Sequence, residues 1–255
     1  MMRFDFTNKR VLVTGGTRGI GNAVVNAFNK AGAQVAINGR TADSVEKTIR
    51  AISDNERLFA APGDVGTVAG CEKAVNSAIE VLGGLDILVN SAGVGVDLSM
   101  EESDESLWDT TLSINLKGTF FCCRSALGAL RESEGNIINI ASDAGLMGNP
   151  NSSIYCASKG GVVNMTRALA LELAPEVRVN CVCPGYVDTD MVRRDWIDKG
   201  DDPASMEKML CDYAPMKRMA TPGEIASSVL YLATAESEFI TGSALQIDGG
   251  STAGH

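Results

Sequence analysis

The chain has 255 residues, a hydrophobic fraction of 45%, 27 glycines, and 22 Lys plus Arg against 32 Asp plus Glu, for a formal net charge of −10. At roughly 150 residues per domain, this length allows one or two domains with ample material for a core. The only histidine is His255, the last residue. Its position excludes Ser-His-Asp and Cys-His hydrolases and zinc sites built on several histidines, so acid–base chemistry must come from Tyr, Lys, Asp, Glu or Cys.

The amino-terminal segment has no apolar signal region, and no stretch reaches the roughly 18 uninterrupted apolar residues of a membrane span. The expectation is a cytoplasmic protein with no membrane partner. The acidic balance argues against nucleic acid, whose phosphates need a net basic face, but it leaves room for a small anion at a local site. Seven cysteines (71, 122, 123, 156, 181, 183, 211) include no C-x-x-C pair, and those at 122/123 and 181/183 lie in apolar runs. They read as reduced core residues in a reducing compartment, with no metal site.

Along the chain, short apolar runs alternate with helical patterns. The runs are Arg10–Val13, Gln34–Asn38, Arg57–Ala61, Leu85–Val89, Asn136–Ile140, Val177–Val182 and Ala244–Ile247. Most are rich in Val and Ile without alternation, as in parallel strands buried on both faces. Between them, Cys71, Ala74, Val75, Ala78, Ile79 and Leu82 fall on one helical stripe. The pattern predicts one α/β domain over residues 1–255, a Rossmann-type doubly wound parallel sheet of about seven strands with helices on both faces.

Directly after the first run comes Thr14-Gly15-Gly16-Thr17-Arg18-Gly19-Ile20-Gly21, followed by the helical run Asn22–Lys30. A glycine-rich turn between strand and helix lets the backbone approach a pyrophosphate at the helix N-terminus. The spacing is not the strict G-x-G-x-x-G. The second strand ends Asn38-Gly39-Arg40, without the carboxylate that binds an adenosine ribose in NAD proteins. Arg18 and Arg40 instead suit a 2′-phosphate, which favours NADP(H) over NAD(H). Asp43 is the counter-argument, but it falls in the first turn of the next helix, where acidic residues are ordinary.

Tyr155 and Lys159 stand at i and i+4 in Tyr155-Cys156-Ala157-Ser158-Lys159, on one helical face. Free tyrosine ionises near pH 10, and a neighbouring ammonium favours the phenolate. This spacing therefore predicts a Tyr155 made more acidic by Lys159. Ser142, at the carboxyl end of the fifth strand, could donate to a substrate oxygen. Residues 190–219 break the rhythm: they are charged, aromatic and methionine-rich, and follow a strand's carboxyl end, where ligands bind in open α/β sheets. The expectation is a substrate lid; a plain surface excursion is the alternative.

Taken together, these motifs resemble the short-chain dehydrogenase/reductase family, over nearly the whole chain. Thr14–Gly21 is similar to the family's T-G-x-x-x-G-x-G motif, and Asn90-Ser91-Ala92-Gly93 to its N-N-A-G segment, with Ser91 a departure. The resemblance implies a catalytic set of Ser142, Tyr155, Lys159 and Asn115. It implies a nicotinamide cofactor held by Gly15, Thr17, Arg18, Gly19, Ile20, Gly21, Arg40, Asp64, Val65, Asn90, Ala92, Gly93, Tyr155, Lys159, Pro184, Gly185, Val187 and Thr189. The substrate would meet Val94, Asp143, Asn149, Tyr186, Met191 and Trp196. In the implied mechanism Tyr155 gives a proton to a carbonyl oxygen that Ser142 holds, while Lys159 binds the ribose and Asn115 supports Lys159 through an ordered water.

Within that family, two substrate classes stay open: small carbonyls, sugars or polyols, and 3-oxoacyl thioesters on an acidic carrier. The second needs a basic patch, for which Arg193, Arg194, Lys217 and Arg218 are available but diluted by Asp195, Asp198, Asp201 and Asp202. A rival of another class is a non-catalytic nucleotide-binding sensor or scaffold. An epimerase or dehydratase would usually carry a larger carboxyl-terminal domain. Leu112, Phe120, Phe121 and Leu127 on Leu107–Arg131, and Val162, Val163, Leu169 and Leu173 on the Tyr155 helix, leave both helices apolar on more than one face; core packing accounts for some of this, and the resemblance implies that the two helices pair across a subunit interface. By family resemblance the assembly is a homotetramer.

Overall fold

The structure is a computed structural model that describes residues 4–198 and 202–254. His255 and Asp201, and with it part of the predicted lid, lie outside the described residues. The apolar runs form β1 (Arg10–Thr14), β2 (Gln34–Ile37), β3 (Leu58–Ala60), β4 (Ile87–Asn90), β5 (Asn136–Ile140), β6 (Arg178–Pro184) and β7 (Ala244–Ile247). They join in one sheet of order β3-β2-β1-β4-β5-β6-β7, and every pair is parallel. The strand order reverses between β1 and β4, and the carboxyl ends of such a switch point frame a ligand crevice.

The helices are α1 (Gly19–Lys30), α2 (Ala42–Ala51), α3 (Val68–Leu82), α4 (Glu105–Leu112), α5 (Thr119–Glu132), α6 (Ser153–Leu173), α7 (Asp190–Val192), α8 (Pro203–Tyr213) and α9 (Pro222–Ala233). Because side chains alternate along a strand, each strand feeds two cores. Val11 and Val13 pack with Val24, Val25 and Phe28 of α1 and with Ile225 and Val229 of α9. Leu12, between them, packs on the other face with Val75 of α3 and with Ala126 and Leu130 of α5. Side-chain caps from Thr41, Thr67 and Asp104 start α2, α3 and α4, and a Thr221/Glu224 capping box starts α9.

Two sequence expectations change. The run Leu107–Arg131 is not one α-helix, since a π-helical turn over Ser113–Gly118 separates α4 from α5. Such turns insert an extra residue into a helix and often mark functional sites. On α6, Val162, Val163 and Leu173 belong to this chain's own core, so they are not available to a partner. Phe120, at 40% exposed, does reach the surface, as does Trp108 of α4 at 50%. All seven cysteines are free, and Cys71, Cys122, Cys123, Cys181 and Cys183 are buried. No described helix is long and apolar enough to cross a membrane.

Candidate active site

A cleft of about 1010 Å³ runs along the carboxyl ends of the strands. At one end the turn after β1 is drawn tightly against the turn after β4. Gly15 has φ +63°, and a Cβ there would stand 2.7 Å from Ala92 Cα. A Cβ at Gly21 would stand 2.3 Å from Gly15 O. Only glycine satisfies both positions without moving the backbone. The Thr14 hydroxyl fixes the neighbouring turn by accepting from the N–H groups of Ser91 and Ala92 at 3.0 and 3.2 Å.

The amino end of α1 has no side-chain cap and no acidic residue in its first turn, so its free N–H groups suit an anion. Arg18 and Arg40 line the same end, and neither has an ion-pair partner among the described residues. A glycine cradle, an open helix terminus and two unpaired guanidinium groups fit the phosphates of a dinucleotide.

Thr17, Gly19, Ile20, Asp64, Val65, Gly93, Pro184, Gly185, Val187 and Thr189 also line the cleft. Asn90 stands behind this lining. Its Nδ2 donates to Asn139 Oδ1 at 2.9 Å and to Cys123 Sγ at 3.2 Å, because β4 turns this side chain into the sheet's interior. Asn38, to which the sequence assigns no role, organises this end of the cleft. Its Oδ1 accepts from Gly15 N, and its Nδ2 donates to Ala61 O and Gly63 O at 2.9 and 3.1 Å. A polar residue ending an otherwise apolar strand was the available signal.

At the other end the turn after β5 and the helix α6 bring Ser142, Tyr155 and Lys159 to one wall. Lys159 is 6% exposed; its Nζ donates to Ile140 O at 2.8 Å and stands 5.7 Å from the Tyr155 ring centre. Burial pushes the Lys159 ammonium down to about 8. Burial also pushes the Tyr155 phenol up to about 12, reinforced by the Asp143 and Asp97 carboxylates and opposed by a hydrogen bond with Ser142. This is opposite to the direction the Tyr–Lys spacing predicts. Enclosure penalises both charged forms, and Lys159 directs a donor to a strand carbonyl rather than to the phenol.

Asn115 is buried behind the wall, inside the π turn, and does not itself line the cleft. Its Oδ1 accepts from Val94 N at 2.9 Å, while its Nδ2 donates to Val94 O at 2.9 Å and Ser158 Oγ at 3.1 Å. It thus ties the loop after β4 to the helix bearing Tyr155. Val94, Asp143, Asn149, Tyr186, Met191 and Trp196 all line this end of the cleft. Tyr186 meets Trp196 and Tyr213 edge-on, with ring centres 5.4 and 5.2 Å apart.

Two acidic groups share that space. Asp143 is pushed up by burial, against hydrogen bonds from Ser142 Oγ and Ala144 N. Asp97 is also pushed up by burial, against a short hydrogen bond from Ser152 Oγ. Asp97 falls in the loop Val94–Leu98 after Gly93, which the sequence expects to shape the pocket, whereas nothing in the sequence distinguishes Ser152 from an ordinary loop residue. Among the described residues no group of three or more His, Cys, Asp or Glu could hold a metal ion.

The family model described as enoyl-(acyl carrier protein) reductase matches residues 15–252. The chain is 36% identical to a meso-2,3-butanediol dehydrogenase of Serratia marcescens, over 99% of this chain and 97% of that protein. It is 37% identical to an NADP-dependent (R)-specific alcohol dehydrogenase of Lentilactobacillus kefiri, over 96% and 97% respectively. Among solved structures it resembles a short-chain dehydrogenase/reductase described as a glucose/ribitol dehydrogenase from Brucella melitensis. That match has a TM-score of 0.90 and 35% identity, covering 98% of this chain and 99% of the other. The chain belongs to the short-chain dehydrogenase/reductase family, as an oxidoreductase of the alcohol and ketone class whose membership implies an NAD or NADP cofactor.

Proposed function

We propose that the protein interconverts a small ketone or aldehyde and its alcohol, with NADP(H) preferred and Tyr155 as the general acid/base. The observation that carries this reading is the single cleft with unpaired Arg18 and Arg40 at one end and Ser142, Tyr155 and Lys159 at the other. When bound, the nicotinamide supplies or accepts the hydride. The chain's own residues hold and move the proton. A phenol near 12 is protonated at neutral pH and can donate to a carbonyl oxygen. Ser142 holds that oxygen. Lys159, near 8, stays largely charged at neutral pH. Beyond its bond to Ile140 O it keeps two donors for ribose hydroxyls. Asn115 is a positioning residue, through Val94 and Ser158.

The NADP preference is supported by the two guanidinium groups and by the NADP dependence of the Lentilactobacillus relative. Small substrates are favoured over carrier-bound thioesters because the basic residues beside the cleft are already paired. Arg193 bonds Asp188 and Glu207, Arg218 bonds Glu224, and Lys217 bonds Asp212. We read residues 1–255 as one domain in the cytoplasm, with 190–219 as a lid whose Met191 and Trp196 face the cleft. A homotetramer is supported by the exposed Trp108 and Phe120 and by an apolar groove along Leu112, Leu116 and Phe121. A size measurement returning a monomer overturns it.

The test is a panel of ketones and alcohols with each nicotinamide cofactor, followed by absorbance. Turnover is expected with the wild type and a loss of at least about a hundredfold with Tyr155→Phe, at the low end of general acid–base contributions. A Tyr155→Phe protein with normal turnover overturns the mechanism. Cofactor binding without turnover of any substrate favours the sensor reading.

A further inference from the structure

We propose that Asp143 is a specificity-determining residue that accepts a hydrogen bond from a hydroxyl next to the reacting carbon, so that the preferred substrates are vicinal hydroxyketones and diols. This inference rests on the oxidoreductase reading above and names the substrate class of the same site.

The carboxylate is built into the wall rather than left on a loop. Asp143 is 7% exposed, directly follows Ser142, and lines the same cleft as Tyr155. Its two oxygens differ. Oδ1 accepts from Ser142 Oγ at 2.9 Å and from Ala144 N at 2.7 Å. Oδ2 takes no hydrogen bond from the described residues. Nor is Oδ2 one of the enclosed orphan atoms, which are Asn29 Oδ1, Arg57 Nε, Asn90 Oδ1 and Asn136 Oδ1. It therefore opens on the cleft. An acceptor oxygen that the described residues leave without a donor is available to a ligand in the cleft.

A substrate hydroxyl can supply that donor, and its position follows from Ser142. The oxygen of the reacting carbon sits within hydrogen-bond reach of Ser142 Oγ, and Oδ2 is the far oxygen of the carboxylate that Ser142 Oγ already touches. A hydroxyl one carbon along spans that interval. Charge narrows the class further. Asp97 is a second carboxylate at this end, while the cleft's guanidinium groups, Arg18 and Arg40, lie at the other, so an anionic substituent is repelled. An ammonium is the competing donor, and the matched ketones below separate it from a hydroxyl. A neutral hydroxyl donates to Oδ2 without the repulsion an anion meets.

Asp143 also acts on the reacting centre. In the free chain the Ser142 proton points to Asp143 Oδ1, away from any substrate oxygen. A hydroxyl that donates to Oδ2 spreads the carboxylate's charge over a further bond and loosens its hold on that proton. Ser142 can then turn its hydroxyl to the carbonyl. The second hydroxyl is thus expected to raise kcat as well as lower KM.

The experiment uses a matched three-carbon set with the full-length wild type: acetone, hydroxyacetone, aminoacetone and pyruvate. The wild type is expected to prefer hydroxyacetone over acetone in kcat/KM by about tenfold to a hundredfold, the range for a hydrogen bond to a charged group. The gain should divide between kcat and KM, and pyruvate should be taken poorly. In Asp143→Ala the hydroxyacetone-to-acetone ratio should collapse to within about threefold, a ratio from which any general loss of activity divides out. Asp143→Asn, nearly the same shape with one acceptor oxygen, should fall between, and NADPH binding confirms that each variant is folded. A wild type without preference, a ratio that persists in both variants, or a preference for aminoacetone over hydroxyacetone overturns the assignment. Acetone turnover with no preference sinks this inference alone, whereas no turnover of any ketone sinks the oxidoreductase reading with it.

Discussion

Lys159→Met should make the cofactor-free protein more stable at pH 7, although it removes a residue of the proposed catalytic set. Burial moves the Lys159 ammonium from its ordinary 10.5 down to about 8. At 1.36 kcal/mol per pKa unit, the folded state at pH 7 carries a penalty of about 3 kcal/mol for that enclosed charge. Methionine fills similar volume without it. Loss of the bond to Ile140 O offsets about 1 kcal/mol, leaving a net gain of about 2 kcal/mol. The pH dependence fixes the cause. The folded pKa of this base lies below its unfolded value, so between about 8 and 10.5 the unfolded chain binds more protons and wild-type stability rises with pH. The advantage of Lys159→Met should therefore be full below about pH 8 and turn into a deficit of about 1 kcal/mol above about pH 10.5, where only the lost bond to Ile140 O remains. Tyr155 titrates in both proteins and largely cancels in the difference. Urea unfolding of both, without cofactor and at one protein concentration, at pH 7 and pH 10.5, measures it. A difference that is absent at pH 7, or unchanged at pH 10.5, refutes the reasoning.

Arg40→Ala should weaken NADPH by about tenfold to a hundredfold and leave NADH within about twofold, since only the first carries the 2′-phosphate. Equal losses in a binding titration overturn the NADP assignment. Gly15→Ala forces a Cβ to 2.7 Å from Ala92 Cα at a positive φ, so a loss of at least about 2 kcal/mol is expected in thermal or urea unfolding; an unchanged midpoint contradicts the close approach of the two turns. Asp86 accepts from Arg10 N, Nε and NH2 at 2.8, 2.8 and 3.1 Å. Asp86→Ala should cost about 2 kcal/mol at pH 7. The Arg10 bonds hold the Asp86 carboxyl below its ordinary 3.8 despite the opposing cost of burial, so this contribution is present above about pH 4 and fades as pH falls through the lowered value. A cost that is the same at pH 7 and pH 3 counts against it.

The strands were legible because a strand buried on both faces needs an unbroken apolar run, and Val11, Leu12 and Val13 give each face its share. The glycine turn was legible because backbone contact at Gly15 tolerates no side chain. What escaped were properties that no local pattern encodes. The residues of the π turn have ordinary helical composition, and only the demand that Asn115 reach Val94 reveals the extra residue. The spacing of Tyr155 and Lys159 predicts proximity but not enclosure, and enclosure sets the sign of both shifts. Asn90 carries the family's motif, yet its side chain turns into the sheet, a fact of strand parity and not of residue type. Nor does sequence encode the unequal occupation of the two Asp143 oxygens, which depends on how Ser142 and Ala144 N fold back on one of them.

The π turn over Ser113–Gly118 also makes two surfaces inseparable. Asp109 and Ser113 line the main cleft on one side and the apolar groove of Leu112, Leu116 and Phe120 on the other. The partition between them is one helix thick. A helix advances about 100° per residue, so gaining or losing one residue there rotates everything beyond it by more than a quarter turn. Inserting or deleting a residue to reshape the groove would swing Asn115 off Val94, and one made to move Asn115 would turn a different face outward. The outer face of this protein and the back wall of its cleft are two sides of a single helical register, and neither can be re-cut without the other.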